Sequence, residues 1–231
     1  MKRFYKQVTV APEADGWRVL LDGRGIKTAG GRAQIVPTQP LADALAAEWA
    51  GQGDDIDAAA FRFRDLADFA LDAVAPDRTQ AIADILPYGE TDTLCYRADP
   101  EDALYRRQLA VWDPLLTAAE VQLGVKFARV SGIVHKPHPE QTLERLRAVL
   151  DEECDFTLAA LKMLSSLAAS LVIALAAIRP EADAEALWHA ANLEEDWQVE
   201  LWGEDWEAAQ LRQTRLEAFR LAMRFAEMAR G

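Results

Sequence analysis

The sequence predicts an α+β fold: a small N-terminal domain with a β-sheet, followed by a larger domain made of helices. Residues 1–38 consist of short β-prone runs separated by turn residues. From about Phe61 the apolar residues recur at helical spacing almost to the end of the chain. A length of 231 residues, with 51% of them apolar, suffices for one domain or two small ones. We predict domains at residues 1–75 and 76–231.

Three or four short strands are predicted at the N-terminus. Trp17, Val19 and Leu21 are alternating apolar residues, which is typical of a strand with one buried face. Asp22-Gly23 is a tight-turn dipeptide. The segment Pro40–Trp49 carries its large apolar residues on one helical stripe, so we expect it to cover one face of the sheet. The β-prone runs are Val8–Val10, Trp17–Leu21, Gly25–Thr28 and Ala33–Thr38.

The remainder of the chain is predicted to be helical, with breaks at prolines and glycines. The predicted helices are Phe61–Val74, Arg78–Leu86, Glu101–Leu123, Glu140–Glu153, Phe156–Ile178, Glu181–Trp202 and Trp206–Met228. A short strand within Lys126–Val134 is the exception. Met163–Ile178 carries no charge, but a spanning helix needs about 20 apolar residues. We therefore expect a buried core helix there rather than a membrane segment, and we expect Trp49 and Trp112 to be core residues.

The composition argues against several classes of protein. A formal net charge of -13 repels phosphate backbones, so nucleic acid is not an expected partner. Cys95 and Cys154 form no CxxC motif or disulfide framework, and we expect two buried thiols. The N-terminus has no apolar signal region. We expect a bacterial cytoplasmic protein, with a processed mitochondrial matrix form as the lesser option, and no stable membrane insertion.

The common catalytic and cofactor signatures are absent from the sequence. It contains no phosphate-binding G-x-x-x-x-G-K-[ST] motif, no dinucleotide loop and no G-x-S-x-G nucleophile motif. His135 and His138 are three residues apart in a proline-broken loop, where a surface turn is favoured over a metal site. We predict no cofactor and no metal ion.

The most informative segment is 181–211, which has ten acidic residues, no Lys or Arg, and four tryptophans. A helical wheel drawn through the segment places Glu194 inside an apolar arc and Glu195 on the adjoining face. A carboxylate on an apolar stripe is costly unless it is paired or the stripe is exposed. Either Glu194 meets an internal cation such as Arg64 or Arg97, or the stripe is a contact surface. The tryptophans are Trp188, Trp197, Trp202 and Trp206.

Five strings in the chain together resemble the ATP-synthase alpha-subunit assembly chaperones, the Atp-twelve family. The strings are LDGR (Leu21–Arg24), AAEW (Ala46–Trp49), YGETDTLCYRA (Tyr88–Ala98), WDPLL (Trp112–Leu116) and LEEDWQVELWGEDWEA (Leu193–Ala208). The resemblance implies a protein that is not an enzyme. It implies one partner, the unassembled alpha subunit of the F-type ATP synthase, which the chaperone keeps from aggregating until the beta subunit replaces it. We expect the chaperone itself to be a monomer.

The resemblance also implies which residues bind the client. The family has a functionally important acid in a Glu-Glu-acid run, which maps here onto Glu194, Glu195 or Asp196, with Glu194 the first choice. The Glu-Trp motif maps onto Glu48 and Trp49, where a structural role is expected. The run Phe61–Val74 departs from the family pattern through Asp65 and Asp68, which puts in doubt any client contact made there. The predicted client-binding residues are Glu194, Glu195, Asp196, Gln198, Trp202 and Glu204.

An acid–base hydrolase that uses Glu194 with Glu195 or Asp196 is the alternative function. Consecutive helical residues are about 100° apart, so these side chains diverge rather than face one substrate. Cooperating carboxylates come more naturally from separate elements. Because no nucleophile or metal set accompanies these acids, the chaperone hypothesis is favoured.

Overall fold

A computed structural model describes residues 1–132, 134, 136–203 and 205–231. The predicted α+β fold is confirmed: a small N-terminal sheet is followed by a long series of helices. Two residues named from the sequence, His135 and Glu204, lie outside the described part of the chain.

The chain divides into two compact units. The first comprises Met1–Ala81, Cys154–Ala160 and Arg224–Gly231, and the second comprises Ile82–Glu153 and Leu161–Met223. The predicted domain boundary between residues 75 and 76 stays a prediction. Segments from later in the chain thus complete the first unit. The two added segments supply Phe156 and Phe225, whose ring centroids lie 6.3 Å apart.

A four-stranded antiparallel sheet lies in the first unit, with strand β2 paired to the other three strands. Val8 lies opposite Leu21 at one end of the β1–β2 pair, and Glu13 lies opposite Gly16 at the other. Gly16 has φ +148°, and a Cβ there would lie 2.2 Å from the Val36 carbonyl oxygen, so only glycine fits. The strands are β1 (Val8–Glu13), β2 (Gly16–Leu21), β3 (Arg24–Gly25) and β4 (Ile35–Val36).

Helix α1 (Gln39–Ala50) packs against β1 and β2. Its apolar stripe of Leu41, Leu45 and Trp49 is buried, as the spacing predicts. Helix α2 (Arg62–Phe69) follows a short 3-10 turn at Ala58–Ala60 and continues into a π-helical turn at Ala70–Val74.

Glu48 caps the beginning of α2. Its carboxylate accepts hydrogen bonds from the backbone N–H groups of Phe63 (2.7 Å) and Arg64 (2.9 Å). Burial raises the pKa of Glu48, although these N–H donors oppose the rise. The adjacent Trp49 ring lies 4.4 Å from the Phe61 ring, centroid to centroid. Both residues of the Glu-Trp motif therefore make internal contacts.

Asp68, an acid by which this chain departs from the family pattern, also acts internally. It is buried, accepts a hydrogen bond from the Ala29 backbone N–H at 3.0 Å, and accepts another from the Gln34 side-chain amide. Asp72 accepts from the Gly30 backbone N–H at 2.7 Å. These carboxylates hold the loop that leads into β4.

The remaining helices are α3 (Arg78–Ile85), α4 (Pro87–Glu90), α5 (Ala103–Leu123), α6 (Glu140–Glu152), α7 (Asp155–Ala168), α8 (Leu171–Ala177), α9 (Ala184–Ala191), α10 (Leu193–Trp202) and α11 (Trp206–Arg230). A 3-10 turn at Thr93–Cys95 leads into strand β5 (Tyr96–Arg97), which pairs in parallel with β6 (Val130–Ser131). The strand predicted within Lys126–Val134 is thus present, although it is only two residues long. No helix in the described part of the chain is both long and apolar enough to cross a membrane.

The prediction of one helix over Phe156–Ile178 is wrong, because the chain breaks between α7 and α8. Ala169 has φ +48°. Ser170 caps α8: its hydroxyl accepts a hydrogen bond from the Ile173 backbone N–H at 3.0 Å and donates to Asp92 at 2.9 Å. Asp92 is fully buried and also accepts from the Val172 backbone N–H. Burial raises the pKa of Asp92 to about 6. The uncharged stretch is nevertheless core, as expected, since Leu164 and Leu171 are inaccessible to solvent.

The prediction of one helix over Glu181–Trp202 is also wrong. Helices α9 and α10 meet at Asn192, which has φ −111° and ψ 20°, and whose side-chain amide donates to the Trp188 carbonyl at 2.8 Å. A wheel drawn through both helices as if they were continuous therefore misplaces the side chains beyond Asn192.

The buried positions predicted for Trp49, Trp112 and Cys95 are confirmed. The prediction of a buried Cys154 is wrong, because this thiol is exposed. It precedes α7, and its sulfur lies 3.3 Å from the Thr157 hydroxyl. Its contact is therefore with the polar start of a helix rather than with the core.

Candidate protein-binding surface

Helix α10 carries three consecutive acids in its first turn, directly after Leu193, and packs against α5 and α9. Leu193 is buried in this packing. Negative charge in the first turn of a helix interacts favourably with the helix dipole, so the acids suit their position whatever else they do. The three acidic side chains nevertheless have different surroundings, which indicates that their roles differ.

Glu194 is exposed, and its carboxylate accepts a hydrogen bond from Gln108 Nε2 on α5 at 2.8 Å. Both cations considered as its internal partners bind elsewhere: Arg97 donates to Asp113 at 2.6 Å, and Arg64 donates to Asp65 at 2.7 Å. Glu194 is therefore a surface carboxylate that a neutral amide holds in place.

Asp196 is partly buried and tied to two other helices. It forms an ion pair with Arg212 of α11, and its Oδ2 lies 2.6 Å from His189 Nδ1 of α9. By contrast, Glu195 and Gln198 are exposed and have no hydrogen-bond or ion-pair partner among the described residues. Asp196 thus fastens α10 to its neighbours, while Glu195 and Gln198 are free to contact another molecule.

Glu200 forms a two-point ion pair with Arg107 of α5, at 2.6 Å and 2.7 Å. The hydrogen bond from Arg107 lowers the pKa of Glu200. The Arg107 guanidinium carbon also lies 4.6 Å from the centroid of the Trp197 ring. This contact fixes the middle of α10 against α5 and leaves the end of α10 exposed.

An exposed apolar patch lies where α10 ends and α11 begins. Gly203 has φ +88° at the end of α10, and the Asp205 carboxylate caps α11 by accepting from the Ala208 backbone N–H at 3.0 Å. Trp202 and Trp206 are 78% and 71% exposed, and Leu201 and Leu211 are 53% and 62% exposed. Exposed apolar side chains grouped in this way are typical of protein-binding sites.

Acids without ion-pair partners flank this patch. Glu195 lies seven residues before Trp202, on the same face of α10, and Glu207 lies four residues before Leu211, on the same face of α11. Glu207 is exposed and, like Glu195, has no partner among the described residues. We call these residues the acidic Trp surface: Glu194, Glu195, Gln198, Leu201, Trp202, Trp206, Glu207 and Leu211.

The acids of the hydrolase hypothesis do not form a pair. Glu194 is held by Gln108, and Asp196 is held by Arg212 and His189. Within the described residues, no three His, Cys, Asp or Glu side chains are grouped so that they could hold a metal ion. His138 was expected in a surface turn, but it is buried, because its Nδ1 accepts a hydrogen bond from the Ala128 backbone N–H at 2.9 Å.

Comparison with known proteins identifies the family. A model of the ATP12 chaperone protein family matches residues 2–120, which is just over half of the chain. The chain belongs to the ATP12 chaperone family. A curated relative of this ATP12-family protein is the mitochondrial protein atp12 of Schizosaccharomyces pombe, which is 26% identical over 219 residues, 87% of this chain and 74% of the relative.

Two solved bacterial structures are similar over almost the whole chain. Atp12 from Paracoccus denitrificans is 36% identical with a TM-score of 0.94, over 99% of this chain and 98% of that one. A protein from Agrobacterium tumefaciens, described as a candidate chaperone, is 37% identical with a TM-score of 0.92, over 98% of this chain and 85% of that one. These similarities include the acidic Trp surface, which the family model does not reach.

The resemblance drawn from the five sequence strings is therefore confirmed. This ATP12-family protein is a chaperone of ATP synthase assembly. The sequence pointed to part of the surface, Glu194, Glu195, Gln198 and Trp202, but it missed the partners on α5, Arg107 and Gln108. It also missed the exposed Leu201, Trp206 and Leu211. Trp206 could have been included, because it lies within the acidic string Leu193–Ala208.

Proposed function

We propose that this chaperone binds the unassembled alpha subunit of the F-type ATP synthase through the acidic Trp surface. It keeps the subunit from aggregating and releases it when the beta subunit takes its place. The observation that carries the proposal is the exposure of Trp202 and Trp206 near Glu195 and Glu207, which are exposed and have no partner among the described residues. An unassembled subunit exposes apolar surface that its neighbours would otherwise cover, and such patches aggregate.

The two kinds of side chain on this surface suit reversible binding. Tryptophans supply most of the binding energy where they become buried in a partner. Charges around them orient the partner and speed its association more than they tighten the complex. Because Glu195 and Glu207 are negative and no described residue pairs with them, the client segment that meets them carries Lys or Arg beside its apolar residues.

The same proposal covers the mode of action and the location. Capture and release require no chemical step, so the protein acts as a binding partner and not as an enzyme. The acidic Trp surface comes from α10 and α11 of one chain, so a monomer suffices for each client.

Since both solved relatives described above are bacterial, we place the protein in the bacterial cytoplasm, with the mitochondrial matrix as the alternative.

The double variant Trp202→Ala/Trp206→Ala tests this proposal. Removing two exposed anchors that each contribute about 2 kcal/mol weakens binding of the alpha subunit by about 1,000-fold. Calorimetry measures this binding, and light scattering follows suppression of aggregation. The control is Val121→Ala/Val134→Ala, which truncates two other exposed apolar residues. If the tryptophan variant captures the subunit as well as this control does, the proposal is wrong.

A further inference from the structure

A second surface with different chemistry lies in the first unit. A groove of about 570 Å³ is formed by the N-terminal segment, the β2–β3 hairpin and the end of α1. Ligand sites in proteins commonly enclose about 300–1,000 Å³, so the groove has room for one or two large side chains. The lining residues that matter here are Phe4, Tyr5, Leu21, Arg24, Lys27 and Trp49.

The apolar part of the groove is rigid. Tyr5, Leu21 and Trp49 are all less than 9% exposed. The Tyr5 and Trp49 rings meet edge to face with centroids 5.5 Å apart, and the Tyr5 hydroxyl donates to the Trp49 carbonyl at 2.6 Å. Phe4 differs from them, because it is 64% exposed although it is a large apolar residue beside a preformed apolar floor.

The polar part of the groove is positively charged. Arg24 and Lys27 are exposed and form no hydrogen bond or ion pair through their side chains with any described residue. Asp22 is the acid of the lining, and its carboxylate accepts hydrogen bonds from the backbone N–H groups of Gln7 (2.8 Å) and Lys6 (3.1 Å). The backbone N–H donors, together with the nearby charges of Lys6 and Arg24, lower the pKa of Asp22. Arg24 and Lys27 still outnumber this one acid in the lining. In a chain with a net charge of -13, a positively charged edge beside an apolar groove is complementary to an acidic, apolar ligand.

A buried donor is also unmatched at this place. The Trp49 side-chain Nε1 is buried and has no hydrogen-bond acceptor among the described residues. Because Trp49 lines the groove, its indole N–H resonance reports on a ligand bound there.

We propose that this groove binds an extended acidic segment of the client that carries an aliphatic or aromatic side chain. The inference rests on the proposed function and adds a second contact to it. The acidic Trp surface repels an acidic segment, whereas Arg24 and Lys27 attract one. The chaperone therefore holds two client segments of opposite charge, one on each surface.

The experiment compares three variants on an array of overlapping synthetic peptides that span the alpha subunit. Arg24→Glu/Lys27→Glu binds the peptides rich in Asp, Glu and apolar residues about tenfold more weakly than the wild type, and it still binds the basic ones. Trp202→Ala/Trp206→Ala shows the reverse pattern. The control Arg106→Glu/Arg145→Glu makes the same charge change at exposed positions of α5 and α6 and binds both sets normally. An NMR titration of the wild type with a retained acidic peptide shifts the Trp49 indole N–H resonance.

The outcomes separate this inference from the proposed function. If Arg24→Glu/Lys27→Glu binds the acidic peptides as the control does, the groove is not a client site, while capture through the acidic Trp surface is unaffected. If the tryptophan variant loses no binding, the proposed function itself fails. Wild-type dimers that Arg24→Glu/Lys27→Glu dissociates, with no loss of peptide binding, would instead assign the groove to a second copy of the chain and overturn the inference.

Discussion

Three consecutive acidic residues on α10, Glu194, Glu195 and Asp196, differ in burial and in hydrogen-bond or ion-pair partners. Asp196 is partly buried and bound by a cation from another helix, Glu195 has no partner among the described residues, and Glu194 is exposed but held by an amide. Residues one position apart on a helix point about 100° away from each other, so adjacent acids face different surroundings. A shared charge therefore does not give them a shared role.

Glu194→Lys is expected to abolish capture of the alpha subunit while leaving the fold intact. The variant loses one hydrogen bond, from Gln108, which is worth about 1 kcal/mol, but it reverses a charge on the proposed contact surface. Circular dichroism and the melting temperature report the fold, and a pull-down reports capture. Glu152→Lys, at an exposed position on α6, is the control. A Glu194→Lys protein that melts many degrees lower yet captures normally would make Glu194 a structural residue.

The buried Asp92 predicts a particular dependence of stability on pH. Its pKa is raised from an ordinary value of 3.8 to about 6 by burial, so between these values the folded protein holds a proton that the unfolded chain releases. The contribution of Asp92 to the free energy of unfolding is present below pH 4 and is lost as pH rises to about 6. The free energy of unfolding therefore decreases by up to about 3 kcal/mol over this range. Urea denaturation between these pH values measures the free energy of unfolding of the wild type and of Asp92→Asn. The difference between the two curves must change across this range, and parallel curves would contradict the assignment.

At the scale of whole elements, hydrophobic pattern and turn residues were enough to predict the strands of the N-terminal sheet, α1, α5 and α11, but not strand β5. The breaks at Ala169 and Asn192 were not predictable from these signals. Each break depends on side-chain contacts that compete with the helix, such as the bonds of Ser170 to Ile173 and to the distant Asp92. The contacts of Arg107 and Gln108 with α10 were missed for a related reason, since they join residues far apart in the sequence.

The attachment of α10 predicts that Asp196→Ala loosens this helix. Loss of the contacts to Arg212 and His189 lowers the free energy of local opening by about 1–3 kcal/mol. Amide hydrogen exchange within α10 then becomes about tenfold faster or more. Glu195→Ala removes an adjacent exposed acid that has no partner among the described residues. It changes the free energy of local opening by less than about 0.5 kcal/mol. Equal exchange rates in the two variants would show that Asp196 does not fasten α10.

At the scale of the whole molecule, the two proposed contact surfaces differ in how they arise from the sequence. Part of the proposed acidic Trp surface could be proposed from the sequence, because its residues fall within one segment of the chain, where acids and tryptophans are visibly concentrated. The basic groove was not predictable, since Phe4, Arg24 and Trp49 come from three separate segments. A surface built from distant segments appears only once the fold brings them together.

Site-specific photo-crosslinking tests most directly whether the acidic Trp surface faces the client. A benzophenone amino acid in place of Trp202 lies at the centre of the proposed contact, and the same amino acid in place of Val121 lies on an exposed part of α5. Illumination of each labelled chaperone with the unassembled alpha subunit is followed by mass spectrometry of the products. The account predicts a crosslink to the alpha subunit from position 202 and none from position 121. A crosslink from position 121 alone would contradict it.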